Sequence, residues 1–143
     1  MSYLQNKSNA LITAANILHT NKIYPAVAHS AYYCCIQLMK HIWLHSLHKT
    51  EDDLRNGLAI HNKKARKKRK REKGVHEFLI TEIGNHIANN YKHKRDFGRF
   101  NNNIWQLKEL RNESDYSDND FDEIKSDDSL MLSGVIVPVL QKY

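Results

Sequence analysis

Arg111 stands where an apolar residue belongs. The fourth helical segment, about Phe97 to Asp115, carries a stripe through Phe97, Phe100, Ile104 and Leu107, and the next position in that spacing is Arg111. A guanidinium on an apolar stripe needs a partner, because an unpaired buried charge costs several kcal/mol. Asp115, four residues on, offers an ion pair worth about 0.3–0.5 kcal/mol if exposed. Asn112 and Tyr116 lie beside it. Together these types suit phosphate: Arg111 grips two oxygens, Asn112 orients them and the Tyr116 hydroxyl donates.

Two other groups invite chemistry. His41, His45 and His48 recur at i, i+4 and i+7 on one helical face, a spacing able to seed a metal site. The commoner reading is a His-bearing helix end, and no metal or cofactor is expected. His19 and His29 read as surface or satisfied core histidines. The second group is a run of nine bases, Lys63, Lys64, Arg66, Lys67, Lys68, Arg69, Lys70, Arg71 and Lys73, interrupted by Glu72. Such a run concentrates phosphate contacts and favours sequence-independent RNA or DNA binding through counterion release. It also fits a nuclear-localisation composition, and as a plain alternative it is a solvated link. The acidic tract Glu113 to Asp128 offers it an attractive partner within the chain or across a dimer.

The elements that position these residues read as helices. The chain has 143 residues, which suits one domain, and its five Gly and two Pro leave too few turn residues for an all-β fold. The net charge of +6 belongs to the basic run, since the rest of the chain carries two more acids than bases. The longest unbroken apolar run, Ala31 to Ile36, is far below the ~20 residues that span a bilayer, and the first residues lack a signal-peptide core. A cytoplasmic protein without membrane contact is expected. Cys34 and Cys35 are adjacent, cannot form an ordinary disulfide with each other in a helix, and read as small core residues. No Gly-rich phosphate loop, serine elbow or Cys-His nucleophile pattern is present.

Tyr3 to His19 is a first helix with Leu4, Leu11, Ala14, Ala15 and Leu18 on one face. Tyr24 to Leu47, with Pro25 in its first turn, is a second: 16 of its 24 residues are apolar and Lys40 is its only fixed charge. A helix apolar nearly all round buries more than one face, which predicts either the centre of a bundle or a homodimer interface. From His48 to Gly74 the pattern fades, with Leu54, Leu58 and Ile60 marking at most a short turn, so a disordered basic insert is expected at about 49–74. Val75 to Asn90 resumes a stripe through Val75, Leu79, Ile83 and Ile87, and Tyr91 to Asp96 is a short basic link. A last helix begins near an Asp120–Glu123 capping box, carries Ile124, Met131, Val135 and Val139, and should kink or end at Pro138.

Leu110-Arg111-Asn112-Glu113-Ser114-Asp115-Tyr116 resembles the Leu-Arg-Asn-x-Ala-Asp-Tyr signature of many small HEPN-domain proteins. Ile23-Tyr24-Pro25-Ala26-Val27 followed by Ser30-Ala31-Tyr32-Tyr33 is similar to the family's second-helix pattern, and Val75-His76-Glu77 to a common start of its third helix. The resemblance covers about four-fifths of the chain and leaves out the basic insert. It implies an all-α, up-and-down bundle of four main helices plus a C-terminal helix, dimeric, with Arg111 near the two-fold axis.

HEPN ribonucleases follow the Arg and a polar residue with a His four to six residues further on. Here those positions are Tyr116, Ser117 and Asp118, so the His is absent. The resemblance therefore implies a noncatalytic dimeric module that binds RNA or nucleotide phosphate through Arg111, Asn112 and Tyr116, or pairs with a nucleotidyltransferase-type protein. The alternatives are a metal-independent ribonuclease of toxin or phage-defence type, with His19 or His29 as the replacement base, and a structural helical protein without a ligand.

Overall fold

The computed structural model describes residues 1–90, 94–116 and 120–143, and every regular element among them is helical. The helices are α1 (Tyr3–Thr20), α2 (Tyr24–His41), α3 (Glu51–Lys67), α4 (Val75–Ala88), α5 (Lys94–Tyr116) and α6 (Glu123–Leu140), with one π-helical turn, Ile42–Ser46, continuing α2. Half of the expected link from Tyr91 to Asp96, residues 91–93, and Ser117 and Asp118 at positions of the family's His lie outside the described residues, while Lys94 to Asp96 are not a link but the first turn of α5.

Helix α2 is the centre. It packs against α1, α4, α5 and α6, and eleven of its residues, from Val27 to Met39, are buried. Its apolar circumference is thus covered within one chain by these four helices, without a second copy. Cys34 and Cys35 are buried and free, as small core residues should be. At the end of α2 the Leu47 N–H reaches back to the Ile42 carbonyl, five residues away, and this wide turn buries Trp43. The Trp43 indole N–H then donates to the Thr50 carbonyl at 2.8 Å, which fixes where the next helix begins.

That next helix is the main departure from the sequence reading. Residues 51–67 form α3 where a disordered insert was expected. Repulsion between like charges such as Lys63 and Lys67 disfavours a helix by only a few tenths of a kcal/mol per pair, and three local features outweigh it. Thr50 and Asp53 make a reciprocal capping box. Glu51, Asp52 and Asp53 occupy the positive end of the helix dipole, and Lys64, Arg66 and Lys67 the negative end. Leu54 and Ala65 bury one face, and Gly57 lets the Phe78 ring of α4 approach so closely that a Cβ there would lie 2.9 Å from it.

Three helices close on a non-glycine residue in the left-handed region: Lys22 (φ 61), His48 (φ 53) and Arg69 (φ 54). After α3 the Lys70 N–H bonds to the Ala65 carbonyl and the Arg69 N–H to the Arg66 carbonyl, the pairing of a Schellman motif; after α1, Ile23 and Lys22 pair likewise with Leu18 and His19.

Helix α6 shows a different face from the one expected. Its N-cap is Asp122, whose side chain accepts from the Lys125 N–H, in place of Asp120. Ile124, Met131 and Val135 are exposed, while Ser126, Ser129, Leu132, Ser133, Ile136 and Val139 are buried against the bundle. Ser129 and Ser133 donate to carbonyls of their own helix, so burying these hydroxyls leaves no unsatisfied donor. The helix runs two residues past Pro138.

Candidate functional site

The site lies where α2, α4 and α5 meet, around Arg111. Two turns of α2 supply His29, Tyr32 and Tyr33, the first turn of α4 supplies His76 and Glu77, and the last turns of α5 supply Lys108, Arg111, Asn112, Asp115 and Tyr116. The Arg111 side chain is only 16% exposed. One of its Nη groups donates to Asn112 Oδ1 at 3.1 Å and the other to the Tyr33 hydroxyl at 3.1 Å. The guanidinium carbon sits 5.5–5.7 Å from the ring centres of Tyr32, Tyr33 and Tyr116, within cation–π range of all three.

The expected pair with Asp115 is present, with Oδ2 at 3.0 Å from Arg111 Nε. The Nε–H does not point at that oxygen, so the contact is an ion pair without an aligned hydrogen bond. Asp115 Oδ2 also lies 3.5 Å from His29 Nδ1, so one carboxylate serves two groups.

His76 is the residue the sequence reading missed. Its Nδ1 is 3.2 Å from the Tyr32 hydroxyl and its ring packs edge-on against Tyr33 at 5.5 Å. Burial pushes its pKa below the ordinary histidine value, and the cations Lys40, Arg111 and Lys108 push it further. Burial likewise pushes the Tyr32 phenol well above its ordinary value, although Arg111 opposes the shift, so Tyr32 stays protonated near neutrality. The only sequence signal for His76 was its place in the Val75-His76-Glu77 helix start.

Glu77 connects this cluster to the basic run. It takes two hydrogen bonds from Arg71, at 2.7 and 3.3 Å, and lies 3.8 Å from Lys108 Nζ on the other side. The run itself is ordered. Past α3 it folds back, and Asn62 and Lys73 exchange two hydrogen bonds while Lys73 Nζ donates to Thr81. A cleft of about 330 Å³ opens there, lined by His61, Lys64, Lys68, Lys70, Arg71 and Lys73 around Ala65. Lys63, Arg66, Lys67 and Arg69 are exposed, Arg66 being 3.5 Å from Glu72. Among the described residues no ion pair joins the acidic tract to the run; Lys125, from within that tract, pairs with Glu113.

Of the other candidates, His41 shares a hydrogen bond with Ser2 and packs against His45, His48 forms the left-handed turn, and His19, at the end of α1, is engaged by Ser126 and Asp127 of α6. Arg111, Asn112, Tyr116 and His29 therefore come together, and His19 does not join them. Compared with known proteins, the chain matches no family model, no curated protein and no solved structure. What the geometry defines is an all-helical protein with a positively charged, tyrosine-lined site at the end of α5.

Proposed function

We propose that the chain is a HEPN-like binding module that holds the phosphate of a nucleotide or RNA at the Arg111 cluster without turning it over. One observation carries this reading. Four cations, Lys40, Arg71, Lys108 and Arg111, are gathered around two carboxylates, Glu77 and Asp115, so the site has a surplus of positive charge beside three tyrosine rings. An anion relieves that surplus, and the Nη groups of Arg111 rest on neutral acceptors that a phosphate can replace. Tyrosine faces suit a base or ribose beside the phosphate. Dimerisation and a nucleotidyltransferase-type partner rest on the sequence resemblance.

Calorimetric titration of nucleoside monophosphates and of short single-stranded RNA tests the reading. Binding that Arg111→Ala abolishes, and that Arg111→Lys weakens because the bidentate grip is lost, is expected. Equal binding by wild type and Arg111→Ala overturns it. A second reading, a metal-independent ribonuclease, is favoured by His29 and His76 both packing against the Tyr33 ring that Arg111 bonds, since two imidazoles can in principle serve as base and acid.

A further inference from the structure

His19, at the last turn of α1, and Glu123 and Asp127, in the first two turns of α6, bring one imidazole and two carboxylates to one place, with their nearest ligand atoms all within 4.8 Å of one another. We propose that these three residues form a binding site for a divalent transition-metal ion, Zn2+ being the best match, which clamps the end of α1 to the start of α6.

His19 Nδ1 lies 2.7 Å from the hydroxyl of Ser126, a side chain with no exposed surface. With a metal ion on Nε2, the ring proton is on Nδ1 and donates to Ser126 Oγ. That is the arrangement by which an outer hydrogen bond fixes the tautomer and direction of a metal-bound histidine. Nε2 faces Asp127, 3.0 Å from its Oδ1. Donors that share one Zn2+ at about 2.0–2.2 Å sit roughly 3.4 Å apart in tetrahedral geometry, so this pair is already near the required separation. The Tyr24 ring, 5.6 Å from that of His19, packs against the imidazole from the start of α2.

Charge points the same way. Among the described residues neither Glu123 nor Asp127 has a Lys or Arg in ion-pair contact, and the nearby Lys125 is engaged by Glu113. Two carboxylates beside a neutral imidazole leave a double negative charge that a dication cancels. The donor set, one nitrogen and two oxygens, fits Zn2+ with a water in the fourth position; Mg2+ and Ca2+ gain less from imidazole. Both carboxylates are on the surface, so each can turn inward without repacking the core.

The competing account is a plain ion pair between a protonated His19 and Asp127. The full chain, stripped with EDTA, is titrated with Zn2+ against a chromophoric chelator. One Zn2+ per chain with a Kd of about 1 µM or tighter is expected, together with a raised Tm. Asp127→Asn and Glu123→Gln, both surface changes, should each weaken binding at least tenfold. Ser126→Ala should weaken it by roughly 10–100-fold, the usual cost of losing an outer hydrogen bond. His45→Ala, in the His41–His45 pair, should have no effect. Failure to take Zn2+ from the chelator, binding unchanged in both carboxylate variants, or binding lost in His45→Ala overturns the proposal.

Discussion

Asn62 and Lys73 hold each other through two hydrogen bonds, Asn62 Nδ2 to the Lys73 carbonyl at 3.0 Å and the Lys73 N–H to Asn62 Oδ1 at 2.8 Å. One asparagine thereby pins the return of the basic run onto the helix that begins it. Each such bond contributes about 0.5–1.5 kcal/mol. Losing both should raise the local opening of residues 68–73 roughly tenfold. Limited trypsin digestion of native protein is therefore expected to cut within the run markedly faster in Asn62→Ala than in wild type. Equal rates would mean that the segment opens by another route.

Arg69 adopts φ 54 at the end of α3, where glycine is the favoured residue. A side chain in the left-handed region costs about 1–2 kcal/mol, and glycine gives back part of that gain through its more flexible unfolded chain. Arg69→Gly should stabilise the protein by about 0.5–1 kcal/mol, read as a higher urea midpoint at unchanged slope. Lys22→Gly, at the end of α1 with φ 61, should act in the same direction.

These left-handed turns also explain what could be read from the sequence. The second, third and fourth helical segments were legible because Ile36, Leu79, Ile83, Phe100, Ile104 and Leu107 recur at helical spacing, and all are fully buried. The end of α3 was not, because its stop residue is Arg69 and not the glycine that marks such turns. Its start was masked by low apolar content, although Thr50 and Asp53 held the capping signal. The face of α6 is hard to read because three of its seven buried residues are serines, Ser129 and Ser133 bonding to carbonyls of their own helix and Ser126 to His19, while Ile124 and Met131 stay outside. In the site, Arg111, Asn112, Asp115 and Tyr116 were legible as neighbours on one helix. His76 was not, because it reaches Tyr32 only through tertiary packing across 44 positions.

His76 should report occupancy of the site by its titration. Burial and the nearby cations hold its pKa below the ordinary value of about 6.5. As pH falls from about 6.5 towards the native value, the unfolded chain takes up a proton that the native state does not. Its contribution therefore lowers stability over that window and is absent above it. An NMR titration of the His76 ring should show a midpoint below 6.5 that rises when a nucleotide monophosphate is added, since the phosphate offsets Lys40, Lys108 and Arg111. A midpoint unmoved by saturating nucleotide would place any binding away from this cluster.

A ribonuclease site needs a group that removes the 2′-hydroxyl proton near pH 7. A phenol with the reference pKa near 10 is ionised in only about 0.1% of molecules at neutral pH, a loss of roughly three orders of magnitude, so a tyrosine is a poor replacement for the absent His. His76 is mostly neutral, but its lone pair is engaged. The buried Tyr32 hydroxyl stays protonated and needs an acceptor, and among the described residues His76 Nδ1 is the one within hydrogen-bond distance. Tyr32 donating to Nδ1 leaves the proton of the neutral ring on Nε2, so that nitrogen donates to an anion and does not take a proton. Purified protein should therefore bind nucleotide yet cleave single-stranded RNA no faster than background in EDTA. Tyr32→Phe, which frees Nδ1, is the variant in which cleavage should first become measurable. Metal-independent cleavage by the wild type, lost in both Arg111→Ala and His76→Ala, would establish the ribonuclease and show that the imidazole escapes Tyr32 when RNA is bound.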